Sequence, residues 1–138
     1  MFGAPIVISG VLQDWTTQHA DAGTNALVVS VLQGEHGYLD TSEFDDIVFY
    51  LDVRELTTTG TLSIAYETSI SRDSASFVAM VPAVSLAVAT TPVVTRVLAA
   101  YSPIPPARYV RWHLTTNQIT GVWDACFRIT YAAYAPGS

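Results

Sequence analysis

The chain has 138 residues, a formal charge of −6, no lysine and a single cysteine. That length bounds it to one domain, residues 1–138. Six scattered arginines form no basic stripe, which excludes nucleic acid as the expected partner, and Cys126 alone allows neither an intrachain disulfide nor a metal knuckle.

In chain order, residues 1–5 form a short arm without a basic leader region, and no signal peptide is expected. Residues 6–12 read as a first strand entered through Pro5. Residues 14–23 are polar and turn-rich around Trp15, which is expected in a loop. Residues 25–32 read as a second strand, and residues 33–37 as a turn with two glycines. Residues 46–53 alternate, with Ile47, Phe49, Leu51 and Val53 on one face. Residues 61–69 alternate again through Leu62, Ile64 and Tyr66. A short strand is expected at 77–81, and 83–89 fits either a short helix or an irregular crossing. Residues 93–101 read as a strand, followed by the stiff connector Ser102-Pro103-Ile104-Pro105-Pro106.

Residues 108–115 form the clearest strand. Val110, Trp112 and Leu114 point one way, and Tyr109, Arg111 and His113 the other. Residues 122–131 place Trp123, Ala125, Phe127, Ile129 and Tyr131 on one face. The turn-like link at 117–121 makes the pair read as a β-hairpin. Residues 132–138 are expected to be a second arm. The rhythm totals about eight strands and no convincing helix, so the expected fold is an all-β, antiparallel two-sheet sandwich, a jelly roll.

Residues 74–95 carry no charge and are long enough to span a bilayer. Pro82 and Pro92 interrupt them, and Ser76, Ser85, Thr90 and Thr91 dilute them, so strand–loop–strand is expected and no membrane span.

No constellation of catalytic residues stands out. His19, His36 and His113 have no metal-pair spacing, and Glu35-His36 with Asp40 reads as a surface turn before a zinc site. Glu43, Asp45 and Asp46 read as a solvated turn before a calcium loop. Neither a G-x-S-x-G elbow nor a P-loop is present, so no enzyme activity and no cofactor are expected. Trp112 and Trp123 belong to apolar faces, where core packing is the default. Arg108 and Arg111 suit a bound carboxylate or, more commonly, an acidic residue on a neighbouring strand. Only 13% of residues are charged, against a norm of about 25%, which suggests a surface covered by partners.

The block A-R-Y-V-R-W-H-L at residues 107–114, followed by Phe127-Arg128-Ile129, resembles the last two strands of galactose-binding-like and discoidin-like sandwiches. Glu67-Thr68-Ser69, a Ser/Asp loop and then Phe77 resemble a pattern of small virion proteins of tailed phages. Together with the Thr-rich, Lys-poor style, the chain resembles jelly-roll head decoration (cement) proteins, of the type on Bordetella-phage podovirus heads. That resemblance implies a virion protein made in the host cytoplasm. It implies a place on the outer capsid surface, clamping neighbouring major capsid subunits. Self-association is expected too, as a homodimer or else a trimer. Phe2, Trp15 and Tyr134 are the expected interface anchors, as large aromatics outside regular strands. The alternative is a carbohydrate-binding module of a fibre or spike.

Overall fold

A computed structural model describes residues 6–21, 30–44, 46–58, 60–80, 84–86, 95–101, 106–117 and 122–135. Among these lie ten strands: β1 (Ile6–Asp21), β2 (Ser30–Leu32), β3 (Leu39–Asp40), β4 (Asp46–Thr57), β5 (Leu62–Ser69), β6 (Val78–Ala79), β7 (Val84–Ser85), β8 (Thr95–Tyr101), β9 (Tyr109–Thr116) and β10 (Val122–Ala135). Single 3-10 turns occur at Glu35–Gly37 and Ser74–Ser76.

The strands make two antiparallel sheets, ordered β1-β10-β4-β8 and β2-β9-β5-β6. Strands β2 and β3 lie on the same edge of β9, and β6 and β7 on the same edge of β5. Each pair is one strand interrupted in the middle. The ten segments therefore reduce to eight strands, ordered 1-8-3-6 and 2-7-4-5. That is the jelly-roll order, the expected fold.

The core lies between the sheets. Ile47, Phe49, Leu51 and Val53 of β4 and Trp123, Ala125, Phe127 and Ile129 of β10 face Leu62, Ile64 and Tyr66 of β5 and Val110, Trp112 and Leu114 of β9. Period-two alternation puts these residues on the inner faces. Phe49 stacks on Tyr66 across the gap at 4.0 Å. Met80 and Leu86 are buried beside this core, so part of the uncharged 74–95 stretch packs into the sandwich.

Three expectations are corrected. Residues 108–115 and 122–131 do not form a hairpin: β9 pairs with β5, β2 and β3, while β10 pairs with β1 and β4. The two strands belong to opposite sheets, and their apolar faces meet face to face. Trp15 lies inside β1, not in a loop. The run Gln13-Asp14-Trp15-Thr16-Thr17 is polar because it belongs to an edge strand with register shifts at 11–16. Residues 132–135 are strand and not arm, with Ala132, Ala133 and Tyr134 held between β1 and β4. Residues 1–5, including Phe2, and 136–138 lie outside the described residues.

One side chain closes the gap between β2 and β3. Gln33 is buried; its Oε1 accepts from Trp112 N at 3.1 Å, replacing a ladder carbonyl. Its Nε2 donates to Leu12 O at 2.8 Å in the opposite sheet and to Gly37 O at 2.7 Å. A second polar tie crosses nearby, where Trp112 Nε1 donates to Gln13 Oε1 at 3.0 Å. Gly37 lets the Gln33 amide sit close, since a Cβ there would stand 2.8 Å from Gln33 Nε2 and push that amide aside.

Candidate functional site

The outer face of the β1–β10–β4 sheet is apolar at one end. Val7 is 60% exposed and stands opposite Tyr134, itself 42% exposed. Val11, also exposed, follows on the same side opposite Thr130. At the other end two bulges coincide. β1 shifts register between Gln13 and Thr16, and β4 carries Arg54 as the extra residue between Val53 and Glu55. Bulges re-aim side chains. Here they bring Trp15 against two guanidinium groups, Arg54 at 4.0 Å and Arg128 at 4.9 Å from the ring centroid. Arg128 also donates to the buried Asp52 at 2.8 Å. Trp15 and Tyr134 thus share one face but stand roughly 20 Å apart, six strand residues at about 3.4 Å each.

The outer face of the β2–β9–β5 sheet is polar and connected. Arg111 is buried on it, and each of its three side-chain nitrogens is hydrogen-bonded. Nε donates to Glu67 Oε1 at 2.8 Å, and Nη1 to Tyr38 Oη at 3.0 Å and Ser74 Oγ at 2.9 Å. The Phe77 ring lies 4.0 Å from the guanidinium. This is the neighbouring-strand carboxylate expected for Arg111. Arg108 instead makes an exposed contact with Asp40 at 3.9 Å. The Glu35–Gly37 turn carries His36 at the surface, and among the described residues no cluster of three metal-ligating side chains occurs.

His113 extends the network in both directions. Its Nδ1 is 3.0 Å from Glu67 Oε2, and its Nε2 is 2.5 Å from Ser30 Oγ. The imidazole spans diagonal neighbours on either side, because Leu32 and Ala65 stand directly opposite His113. Burial pushes the Glu67 carboxyl up, but hydrogen bonds from His113 and Arg111 and their charges outweigh it. The carboxyl ends below its ordinary range and stays ionised.

Beside Ser30, one register row carries Thr115 of β9 and Ser63 of β5. With Thr61, Thr116 and Asn117 they line an open hollow of about 400 Å³. Thr61 N donates to Asn117 Oδ1 at 2.8 Å, which fixes the amide at its rim.

Sequence reasoning missed Ser30, His113 and Glu67 as a connected set. They lie on separate strands, β2, β9 and β5, and only the strand order makes them neighbours. It also missed Gln33, which follows β2 and bonds Trp112 N and Leu12 O. Trp112 and Trp123 are core residues, as expected, and Cys126 is a buried free thiol. No protein-family model matches the chain, and neither curated proteins nor solved structures gave a match to it.

Proposed function

We propose that this protein is a structural component of a tailed-phage virion: a decoration protein that binds the outer capsid surface and bridges major capsid subunits. The observation that carries this reading is the face bearing Val7, Val11 and Tyr134. It leaves large apolar side chains open to solvent on a chain that is only 13% charged. Solvent-exposed apolar groups beside Trp, Tyr and Arg have the composition of protein-contact surfaces. Trp15 and Tyr134 anchor that contact, with Phe2 as a third anchor. Many weak contacts, linked through one oligomer, favour the assembled lattice by mass action.

Self-association follows from the same strand. Among the described residues β1 pairs on one side only, with β10, and residues 6–13 contain neither charge nor proline. Up to the register shift that begins at Val11, such an edge carries neither the charge nor the proline that prevent strand addition. Antiparallel pairing of two β1 edges about a two-fold axis gives a homodimer.

The test is to mix the purified protein with expanded, undecorated phage heads and pellet the heads. Sedimentation of the free protein runs alongside. Stoichiometric co-pelleting with a free dimer is expected, and a free trimer would move the self-contact away from a two-fold β1 edge. No binding to heads overturns the capsid reading. The second reading, a carbohydrate-binding module, draws on the hydroxyl-lined hollow at Ser63, Thr115 and Asn117. Glycan-array binding without head binding would favour it.

A further inference from the structure

We infer that Ser30, His113 and Glu67 form an acyl-transfer site that hydrolyses short-chain esters of hydroxyl-rich alcohols. The inference is independent of the capsid reading, because these residues lie on the opposite sheet from Val7, Trp15 and Tyr134.

The atoms are arranged in the order such chemistry needs. A nucleophile hydroxyl meets one imidazole nitrogen at 2.5 Å, and a carboxylate meets the other at 3.0 Å. The proton positions follow from the carboxylate. Glu67 is ionised and fixed by Arg111, so it accepts from His113 Nδ1–H. In a neutral imidazole that leaves the Nε2 lone pair facing Ser30, which then donates to it. This is the tautomer of a general base poised beside a nucleophile.

Accessibility runs the right way along the chain of contacts. Ser30 is exposed on its edge strand, the His113 side chain is 25% exposed, and that of Glu67 is 14% exposed. Arg111, behind Glu67, is buried, and its hydrogen bonds to Tyr38 and Ser74 prevent the carboxylate from rotating away. The nucleophile therefore meets solvent while its support is packed.

The surroundings define the substrate. Thr115 stands directly opposite Ser30, and cross-strand neighbours have Cβ atoms about 5 Å apart. Its hydroxyl is assigned the donor role toward the oxygen that becomes negative during attack. The hollow of Ser63, Thr115 and Asn117 offers donors and acceptors to a polyol. Leu32, exposed directly opposite His113, offers one apolar contact, enough for an acetyl methyl group.

In the first step Ser30 Oγ attacks the ester carbonyl carbon, and its proton moves to His113 Nε2. The C–O bond to the alcohol then breaks, and the alcohol leaves with that proton. Water attacks the acyl-serine and gives its proton to His113. The acid departs as the Ser30 oxygen takes the proton back. One ester and one water give one acid and one alcohol. Ser30 and His113 are the catalytic residues, and Glu67 is a positioning residue.

The test uses the full chain with 4-nitrophenyl acetate and a fluorophosphonate probe. Saturable hydrolysis and a single adduct, located on Ser30 by peptide mass spectrometry, are expected. Ser30→Ala, an exposed and conservative change, should abolish the adduct and reduce hydrolysis to the buffer rate. His113→Gln should lower kcat/KM by about 10²-fold or more. Glu67→Gln should lower kcat and also shift the pH dependence of kcat/KM, whereas loss of folding alone lowers kcat at unchanged KM and leaves the pH profile of the remaining folded fraction in place. Unchanged hydrolysis in Ser30→Ala, or no adduct on Ser30 in the parent, overturns the proposal. Ser30→Ala should still bind phage heads if the capsid reading holds, which separates the two results.

Discussion

The Trp112 and Phe127 rings meet edge to face across the sandwich, with centroids 5.2 Å apart and planes at 89°. Their strands, β9 and β10, are consecutive in sequence yet sit in opposite sheets. The aromatic pair is what the two apolar faces achieve by closing on each other. Phe127 is fully buried, so Phe127→Ala leaves a cavity under Trp112. The expected cost is about 3–5 kcal/mol in urea unfolding. A loss below about 1 kcal/mol would mean that the sheets do not close on this pair.

Gln33 supplies a backbone-like partner where the β2–β3 strand is interrupted. Gln33→Leu removes the acceptor for Trp112 N and the donor for Leu12 O. Leaving buried groups of this kind unpaired costs about 1–3 kcal/mol each. Thermal unfolding should show a drop well beyond that of a surface substitution. Hydrogen exchange at the Trp112 amide should accelerate; no change there would count against the bond.

Glu67 makes acid stability testable. Its carboxyl lies below the ordinary value of 4.5, since the His113 and Arg111 hydrogen bonds outweigh burial. A depressed value in the folded state stabilises fully above the unfolded value. That contribution fades as pH falls through the folded value. The stability advantage of the parent over Glu67→Gln should therefore be constant near neutrality and shrink below about pH 4.5. A pH-independent difference would show that the carboxylate is not held ionised by the fold.

Tyr66 gives the opposite limb. Burial pushes its phenol well above the ordinary 10.0. The folded state holds the proton more tightly than the unfolded state, so stability is full below about pH 10 and declines above it. Tyr66→Phe keeps the stack on Phe49 and should be less alkali-sensitive than the parent. Equal melting-point losses from pH 8 to pH 11 would rule this out.

If the proposed capsid reading holds, the outer face of the β1–β10–β4 sheet is where contact is lost. Trp15→Ala and Tyr134→Ala, separately and with Phe2→Ala, should each weaken head binding. A hot-spot loss of about 2 kcal/mol is roughly 30-fold in affinity. Trp15 also gives a local readout, because contact with a partner should change its emission. Full head occupancy by the triple variant would remove these residues as anchors.

Alternation alone determined the sandwich and most of its core: Ile47 to Val53, Leu62 to Tyr66 and Val110 to Leu114 are read directly as inward-facing rows. The period of two is a local property, so sequence carries it. Which strands become neighbours is not local. Residues 108–131 read as a hairpin because the turn and both strands are locally consistent with one, yet closure of two apolar faces against each other buries more than a side-by-side pair can. Bulges are equally invisible, since the two register shifts in β1 and the one in β4 have no compositional signature; with the strand order they bring Arg54 and Arg128 to Trp15. The Ser30, His113 and Glu67 contacts depend on strand order as well, joining residues 83 and 46 positions apart. Side-chain alternation belongs to the chain, but adjacency belongs to the packed sheet, and only the fold could decide it.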